Sequence, residues 1–400
     1  MHFALPLPAS SATSKPAAAV STQAKPRLAY IDTIRVILVA LVVMVHTAVT
    51  YGSVGGWFYV EPGSDDLTKG LLSLFVTLCQ SFFMGTFFFI SGYFIPGSID
   101  RKGLAWFWKD RILRLGVPFL FFSFVLAKYP LFINATRGGR FFGSLWDFMV
   151  RYPLQAVDAG PTWFLFALLV LSAGYSLYRG LRGKALPLGV GASVPTVFAL
   201  LGFALLMAVS MFITAQFSPI GYFTPLFGFI YLQPAFFPQY LLLFAGGILA
   251  YRGDWLNRMD DRQFTTWRAL AIGCVVILPA LFVAGGAAQG HFDAFISGIT
   301  WQSITLNLWV GLISVSITLA LILGLRKGQS APGAFGKAVS GSAFAAYLIH
   351  PVILVAITNS LAPVAVYALL KWLLAAALAI AVSFTLGYLL RRIPGLRAIL

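Results

Sequence analysis

The sequence predicts an all-α membrane protein, a polytopic bundle of about ten transmembrane helices with N- and C-termini both cytoplasmic. Three observations predict this fold class. Only 10% of the 400 residues are charged and 59% are hydrophobic, whereas a soluble protein carries about 25% charged residues. The mean hydropathy is +0.87. The apolar runs are continuous and ~18–25 residues long, which fits spanning helices better than the ~10-residue alternating strands of a membrane barrel.

The elements follow in order along the chain. Residues 1–26 are rich in Ala, Ser and Pro and lack the apolar core of a signal peptide, so we expect a disordered cytoplasmic tail. Residues 27–400 are predicted to form a single transmembrane domain. Its ten apolar spans lie at about 33–51, 71–95, 112–133, 162–179, 193–215, 236–251, 269–288, 304–325, 341–361 and 364–390.

The basic residues predict the orientation of these spans. All but seven of the 28 Lys and Arg residues lie in the tail, in every second connection or after the last span, and the positive-inside rule assigns such segments to the cytoplasm. The opposite connections hold Lys69, Lys128, Arg137, Arg140 and Arg151. Topology therefore accounts for the formal charge of +16, and we expect membrane lipid, not nucleic acid, as a partner.

Two connections on the predicted outer side are unusual. The connection at about 128–160 carries four of the outer cations together with Asp147 and Asp158, so it is either a binding element or a solvated loop. The segment 217–238 has four prolines and no charged residue, and we expect it to re-enter the membrane in part. Neither the two apolar-flanked cysteines nor the four dispersed histidines have the spacing of a metal site, so no metal is expected.

The first span carries three titratable residues in an apolar run: Asp32, Arg35 and His46. A helix turns ~100° per residue, so Arg35 and His46 differ by only ~20° in azimuth and ~16 Å in height. Asp32 precedes Arg35 by three residues and can pair with it. Each residue has a structural explanation, snorkelling for Arg35 and a helix-packing hydrogen bond for His46. Their common face favours a functional explanation.

A second intramembrane histidine, His350, lies in the predicted ninth span and could reach the cavity that His46 faces. Pro351 next to it would disturb the helix and free carbonyl groups nearby. The alternative is a packing histidine beside a kink.

The second connection, within 91–122, has five cations and three aromatic residues. It either anchors the protein at the headgroups or captures a phosphorylated cytosolic ligand. Arg111 and Arg114 share one helical face, and arginine suits bidentate phosphate binding.

These residues together resemble the acyltransferase 3 family of bacterial integral-membrane O-acyltransferases. The first span is similar to the family's opening motif of Asp, Arg and His. A Ser-Gly followed by basic residues and an Arg-x-x-Arg run before Pro resembles its second signature. "GPTWFLFALL" and "AYLIHP" resemble two later motifs. The matching residues are Asp32, Arg35, His46, Ser91, Gly92, Arg111, Arg114, Pro118, Trp163, Tyr347 and His350.

The resemblance implies an enzyme of the bacterial inner (plasma) membrane with no bound cofactor and acyl-CoA as co-substrate. It implies transfer of an acyl group, acetyl or in some branches succinyl, to a hydroxyl of an exported or lipid-linked carbohydrate or glycolipid. His46 would be the general base, or a transiently acylated nucleophile. Arg35 would bear on the donor, and Asp32 would hold Arg35. The predicted substrate-binding residues are Ser91, Lys102, Arg111, Arg114, Trp163, Tyr347 and His350.

Two other functions fit the composition. A transporter or flippase for a glycan or lipid could use buried Arg and His residues in an ion or proton path. A membrane scaffold or sensor would need none of the three polar residues of the first span. Release of thiol from acyl-CoA separates the enzyme from both, and neither the acyl group nor the acceptor can be read from the residues.

Overall fold

The computed structural model describes residues 28–182, 193–328 and 333–400, and the tail predicted as disordered, 1–26, lies outside them. Within the described part, ten helices are long and apolar enough to cross a membrane, which confirms the predicted fold class. In chain order, spans 1 to 10 are Ala29–Thr50, Asp66–Lys102, Leu104–Arg137, Gly160–Arg182, Val197–Phe217, Pro234–Arg252, Asp261–Ala284, Trp301–Lys327, Ala334–Leu361 and Ala368–Leu390.

Several spans are not uniform α-helices. Span 2 consists of two helices, Asp66–Gln80 and Phe83–Lys102, and the side chain of Gln239 donates to the carbonyl of Ser81 exposed at the break. Span 3 contains two π-helical turns, Ile112–Gly116 and Phe122–Leu126. Spans 4 and 6 begin with 3-10 turns, Gly160–Thr162 and Pro234–Phe236, and short helices lie outside the spans at Leu145–Arg151, Trp255–Arg258, Asp293–Ile296 and Leu396–Ile399.

Spans 2 and 6 pack with their backbones in contact. A side chain at Gly92 would place its first carbon 2.1 Å from the Phe244 carbonyl oxygen, and one at Gly247 would meet the Phe89 carbonyl at the same distance. Glycine is therefore required at both positions, because only a missing side chain lets two membrane helices approach so closely. Span 1 lies in the middle of the bundle and contacts spans 2, 8, 9 and 10.

Basic side chains gather at one end of the bundle, as the topology predicts. Asp100 at the end of span 2 binds Arg179 of span 4 and Arg252 of span 6, at 2.9 and 2.7 Å. At the same end, Lys327 of span 8 pairs with Asp261 of span 7. We call this the basic end. That it faces the cytoplasm stays a prediction of the positive-inside rule.

The segment 217–238 differs from expectation because it forms a β-hairpin. Strands Thr224–Leu226 and Ile230–Leu232 pair antiparallel around a turn at Phe227 and Gly228, which have φ of 53° and 79°. Consecutive positive φ values are typical of tight hairpin turns. The sequence did not predict this hairpin, and partial re-entry of the segment into the membrane stays a prediction.

Candidate active site

A cavity of about 380 Å³ lies between spans 1, 2, 3, 4, 6 and 9, at the end of the bundle opposite the basic end. Its lining comes from these spans, from the connections after span 1 and before span 4, and from the hairpin segment. Phe223 and Tyr231 line it and are 41% and 43% exposed, so the cavity reaches the surface at the hairpin. The lining includes Val42, Val45, His46, Trp57, Gln80, Phe83, Met84, Asn134, Asp158, Pro161, Trp163, Gln233, Tyr240 and Tyr347.

His46 lies in this cavity and is held by a second histidine. Its Nδ1 is 3.1 Å from Nε2 of His350 in span 9, and the two rings are nearly parallel. His350 meets the edge of the His46 ring, and one face of that ring stacks on the Trp57 indole at 4.1 Å between centroids. His350 itself is fully buried behind His46. The structure thus brings together two residues that are 304 positions apart in the chain.

The helix of span 9 explains the orientation of His350. Pro351 stands inside it and has no N–H, so the carbonyl of Tyr347, four residues earlier, lacks its usual helical donor. Nδ1 of His350 hydrogen-bonds to that carbonyl instead. This is the freed carbonyl that the sequence predicts next to Pro351.

The direction of these hydrogen bonds assigns the tautomers. A carbonyl oxygen can only accept, so His350 carries its proton on Nδ1 and its Nε2 must accept. His46 therefore donates from Nδ1, and the lone pair of His46 is on Nε2. A neutral pair of this kind places no charge among the apolar spans and needs no counter-ion. The arrangement leaves His46 with one basic nitrogen.

Trp163 and Tyr347, both predicted as substrate-binding, also line the cavity. The Tyr347 hydroxyl donates to the carbonyl of Pro161, which fixes the turn at the start of span 4. Trp163 stacks on Tyr240 of span 6 at 5.6 Å between ring centroids. The Tyr240 hydroxyl in turn accepts from Gln80 at the break in span 2. The break, the 3-10 turn and the kinked helix therefore all face the same space.

Arg35 and Asp32 lie at the basic end of span 1. Arg35 Nη1 is 3.1 Å from Asp32 Oδ1, which confirms the predicted pair, and its guanidinium lies 5.2 Å from the centre of the Phe94 ring. Span 1 is a continuous α-helix from Ala29 to Thr50, so the calculated face shared with His46 holds. Arg35 is 40% exposed and does not line the cavity. On span 1 the cavity lining extends towards Arg35 no farther than Val42.

The other predicted cations cluster on span 3 and the end of span 2. Lys102 and Arg114 both approach Asp110, at 3.7 and 3.2 Å, and Arg111 lies over the Phe107 ring at 5.1 Å. Arg111 is close enough to experience the positive charges of Arg35 and Arg114. Ser91 lies one helical turn before Phe94 and is half-buried. These residues form a basic surface separate from the cavity.

Comparison with known proteins identifies the family. A family model described as an acyltransferase domain, the acyltransferase 3 model, matches residues 28–392. The chain belongs to the acyltransferase 3 family. It is similar to glucans biosynthesis protein C of Salmonella schwarzengrund, Salmonella typhi and Salmonella typhimurium, with 26% identity over 359 residues, which cover 83% of the chain and 83% of each relative. No solved structure matches the chain.

The site of this acyltransferase includes residues that the sequence did not single out. Trp57 comes from the connection after span 1, and a buried ion pair fastens that connection to the bundle: Glu61 Oε1 is 2.6 Å from Nζ of Lys371 in span 10. No local pattern marks Trp57 as the partner of His46, because the two rings meet only through the fold. The only available sign of this attachment in the sequence was Lys371, a charged residue inside an apolar span that needs a partner such as Glu61.

Asp158 is the second such residue; the sequence predicted only that its connection, at about 128–160, is either a binding element or a solvated loop. It precedes span 4 and lines the cavity, and its Oδ1 accepts from the Gly160 N–H at 2.6 Å. Burial raises the pKa of Asp158 to about 6, although the Gly160 hydrogen bond opposes the shift. The outer connection therefore contributes to the site through Asp158. Lys128, by contrast, is buried and donates to the carbonyls of Tyr152 and Pro153, a structural role.

Proposed function

We propose that this multi-pass acyltransferase moves an acyl group, acetyl or succinyl, from cytosolic acyl-CoA to a hydroxyl of an exported or lipid-linked carbohydrate at the bacterial inner membrane. Membership of the family supports acyl transfer. The name of its relatives, glucans biosynthesis protein C, supports a carbohydrate acceptor. The single observation that carries the chemistry is His46, exposed to a cavity and hydrogen-bonded on Nδ1 by His350.

His46 acts as the general base. Its Nε2 takes the proton of the acceptor hydroxyl while the oxygen attacks the carbonyl carbon of the thioester. The resulting tetrahedral species collapses by breaking the carbon–sulfur bond. The proton on Nε2 then passes to the departing thiolate, so the products are the ester and free CoA, and His46 returns to its starting state.

His350 positions this base. While Nε2 of His46 gains and loses a proton, Nδ1 keeps its own proton and donates it to Nε2 of His350. The accepting nitrogen stabilises the transient imidazolium and prevents rotation of the ring. Stacking on Trp57 restrains one face of the same ring. A base held at its edge and on one face loses little orientational freedom in the transition state.

The basic end receives the donor. Arg35, Arg111, Arg114 and Lys102 offer four cationic side chains against two carboxylates, Asp32 and Asp110. This surplus suits the phosphates of CoA, and arginine is the side chain best matched to phosphate oxygens. Arg35 and His46 are ~16 Å apart along span 1. The pantetheine arm would extend over that distance and present the thioester to His46.

One assay of the purified protein, with two readouts, tests this function. Acetyl-CoA or succinyl-CoA is supplied with glucose oligosaccharides, and thiol release and ester formation are followed. We expect both, and we expect His46→Gln to lower kcat by about 10²–10⁴-fold, the usual contribution of a general base. His291→Gln, a histidine in an exposed connection, serves as the control. Full transfer by the His46 variant would refute the assignment, and export of glycan without thiol release would favour a transporter.

A further inference from the structure

One carboxylate in the cavity has no role in the chemistry above. Asp158 uses Oδ1 to bind the Gly160 N–H. Its other carboxylate oxygen has no hydrogen-bond or ion-pair partner among residues 28–182, 193–328 and 333–400. The nearby outer cations do not neutralise it, since Lys128 binds main-chain carbonyls and Arg140 binds Asn134. A half-buried carboxylate costs folding free energy unless something pairs with it.

The surroundings of Asp158 limit what that partner could be. The cavity walls are mainly aromatic, with Trp57, Trp163 and Tyr231 among them, and the polar groups include the amides of Asn134 and Gln233. No Lys or Arg lines the cavity in the described part of the chain, so the lining offers no permanent cation to pair with an anionic ligand. Flat aromatic faces suit the C–H faces of a sugar ring, and amide and carboxylate oxygens suit its hydroxyl rim.

The position of the cavity separates this region from the donor. Its lining reaches the surface at Phe223 and Tyr231 of the hairpin segment, whereas Arg35 and the other donor-binding cations lie at the basic end. A ligand that enters past the hairpin would meet Asp158 without crossing the basic surface.

We propose that the hairpin side of the cavity is a sugar-binding acceptor subsite in which the free oxygen of Asp158 accepts a hydrogen bond from a sugar hydroxyl other than the one acylated. This assignment rests on the proposed function for its reaction, but the binding of a sugar does not depend on acyl transfer. Asp158 is ionised at pH 7, because the pKa of its buried carboxyl is about 6. The ionised form makes the stronger hydrogen bond to a hydroxyl. Asp158 thereby fixes which hydroxyl reaches His46.

The kinetic test compares Asp158→Asn with Asp147→Asn. Asp147 lies in the same connection but is exposed and caps the short helix Leu145–Arg151, so it is a matched control. With acetyl-CoA as donor and cellotetraose or maltotetraose as acceptor, we expect Asp158→Asn to raise the KM for the sugar by about 10- to 100-fold, the range for a hydrogen bond to a charged group. The KM for acetyl-CoA and its slow hydrolysis by water should stay unchanged.

A binding test separates this proposal from the proposed function. The two cavity tryptophans, Trp57 and Trp163, should report sugar binding as a change in intrinsic fluorescence, in the wild type and in His46→Gln but at much higher sugar concentration in Asp158→Asn. If no thiol is released but the sugar still binds in this pattern, the acyl transfer is wrong and the subsite stands. If neither oligosaccharide binds the wild type, or if Asp158→Asn impairs acetyl-CoA hydrolysis as much as sugar transfer, the subsite is overturned.

Discussion

At the scale of single residues, a missing backbone donor sets the chemistry of a distant side chain. Pro351 leaves the carbonyl of Tyr347 unpaired, His350 takes up that carbonyl with Nδ1, and its Nε2 must then accept from His46. The basic nitrogen of His46 is therefore chosen by a proline in another helix. Because the Tyr347 carbonyl can only accept, it determines which nitrogen donates and which accepts in each of the following hydrogen bonds.

The first prediction concerns His350. Replacing it with Ala removes the acceptor for His46 Nδ1, so His46 can adopt either tautomer. We expect kcat for acyl transfer to fall on the order of 10- to 100-fold, as for other residues that orient a functional histidine, with little change in either KM.

His350→Gln provides the rescue for that experiment. Its amide oxygen can accept from His46 and its amide nitrogen can donate to the Tyr347 carbonyl, so part of the lost kcat should return. An alanine variant with the wild-type kcat would show that the second imidazole only fills space.

The residues of span 1 and span 9 show how far the sequence alone could go. Spacing within one helix is enough to predict that Asp32 pairs with Arg35, and the structure confirms the pair. A proline next to His350 is enough to predict a freed carbonyl. The contact of Trp57 with His46 and the place of Asp158 in the same cavity were not predictable, because both depend on how connections fold back over the bundle. Local periodicity carries no information on such contacts.

At the scale of elements, the connection after span 1 is a long loop that an ion pair attaches to span 10. It carries Trp57, and Glu61 within it pairs with Lys371, whose side chain is only 3% exposed. The Glu61 N–H also donates to the Thr50 carbonyl at 2.8 Å. The stacking partner of His46 is therefore held in place by an ion pair between this connection and span 10.

The second prediction tests that attachment. Lys371→Met leaves the Glu61 carboxylate without its cation, and removing one partner of a buried pair costs about 3–5 kcal/mol. We expect a lower midpoint of thermal unfolding in detergent, faster proteolysis between residues 51 and 65, and slower acyl transfer.

Two further variants make the comparison specific. Lys69→Met removes a surface pair, with Asp66, whose partners are 52% and 102% exposed, and such pairs contribute about 0–1 kcal/mol. The double variant Lys371→Met with Glu61→Gln should recover part of the stability because no charge remains buried. Equal effects of the two lysine variants would contradict a fastening role.

The hairpin at Thr224–Leu226 and Ile230–Leu232 shows where element prediction fails. Strands of three residues are too short for an alternating pattern to be recognised, and four prolines in the surrounding segment obscure it further. The ten spans were predictable because each contains many consecutive apolar residues. Element length therefore decided what the sequence could reveal.

At the scale of the whole molecule, the two proposed substrate-binding regions lie towards opposite ends of span 1. Between Arg35 and His46 lie Val39, which is 3% exposed, and Val42, which is 2% exposed and lines the edge of the cavity. Both valines lie on the helix face that Arg35 and His46 share. The proposed donor arm must therefore pass these two side chains to reach the base.

The third prediction concerns that route. Val39→Trp should obstruct it, so transfer from acetyl-CoA should fall at least about tenfold, while sugar binding at the other end is retained. A tenfold fall in rate corresponds to about 1.4 kcal/mol of activation free energy. The added ring is also expected to lower the folding free energy by about 1–3 kcal/mol through overpacking. Initial rates and the fluorescence titration provide the two measurements.

Ile37→Trp is the control for the route, because residue 37 is ~200° away from Arg35 around the helix. It places the same ring on the opposite face of span 1. A donor reaction insensitive to Val39→Trp, or equally sensitive to both variants, would show that CoA approaches by another path.

The contact of span 2 with span 6 limits the relative motion of these two helices. Gly92 and Gly247 let the two backbones touch with no side chain between them, so neither helix can slide or roll against the other without collision. The wall of the cavity that bears Gln80, Met84 and Tyr240 is therefore rigid. The connection bearing Trp57 is also held, by the Glu61–Lys371 pair, so a substrate that enters or leaves the cavity must displace the hairpin instead.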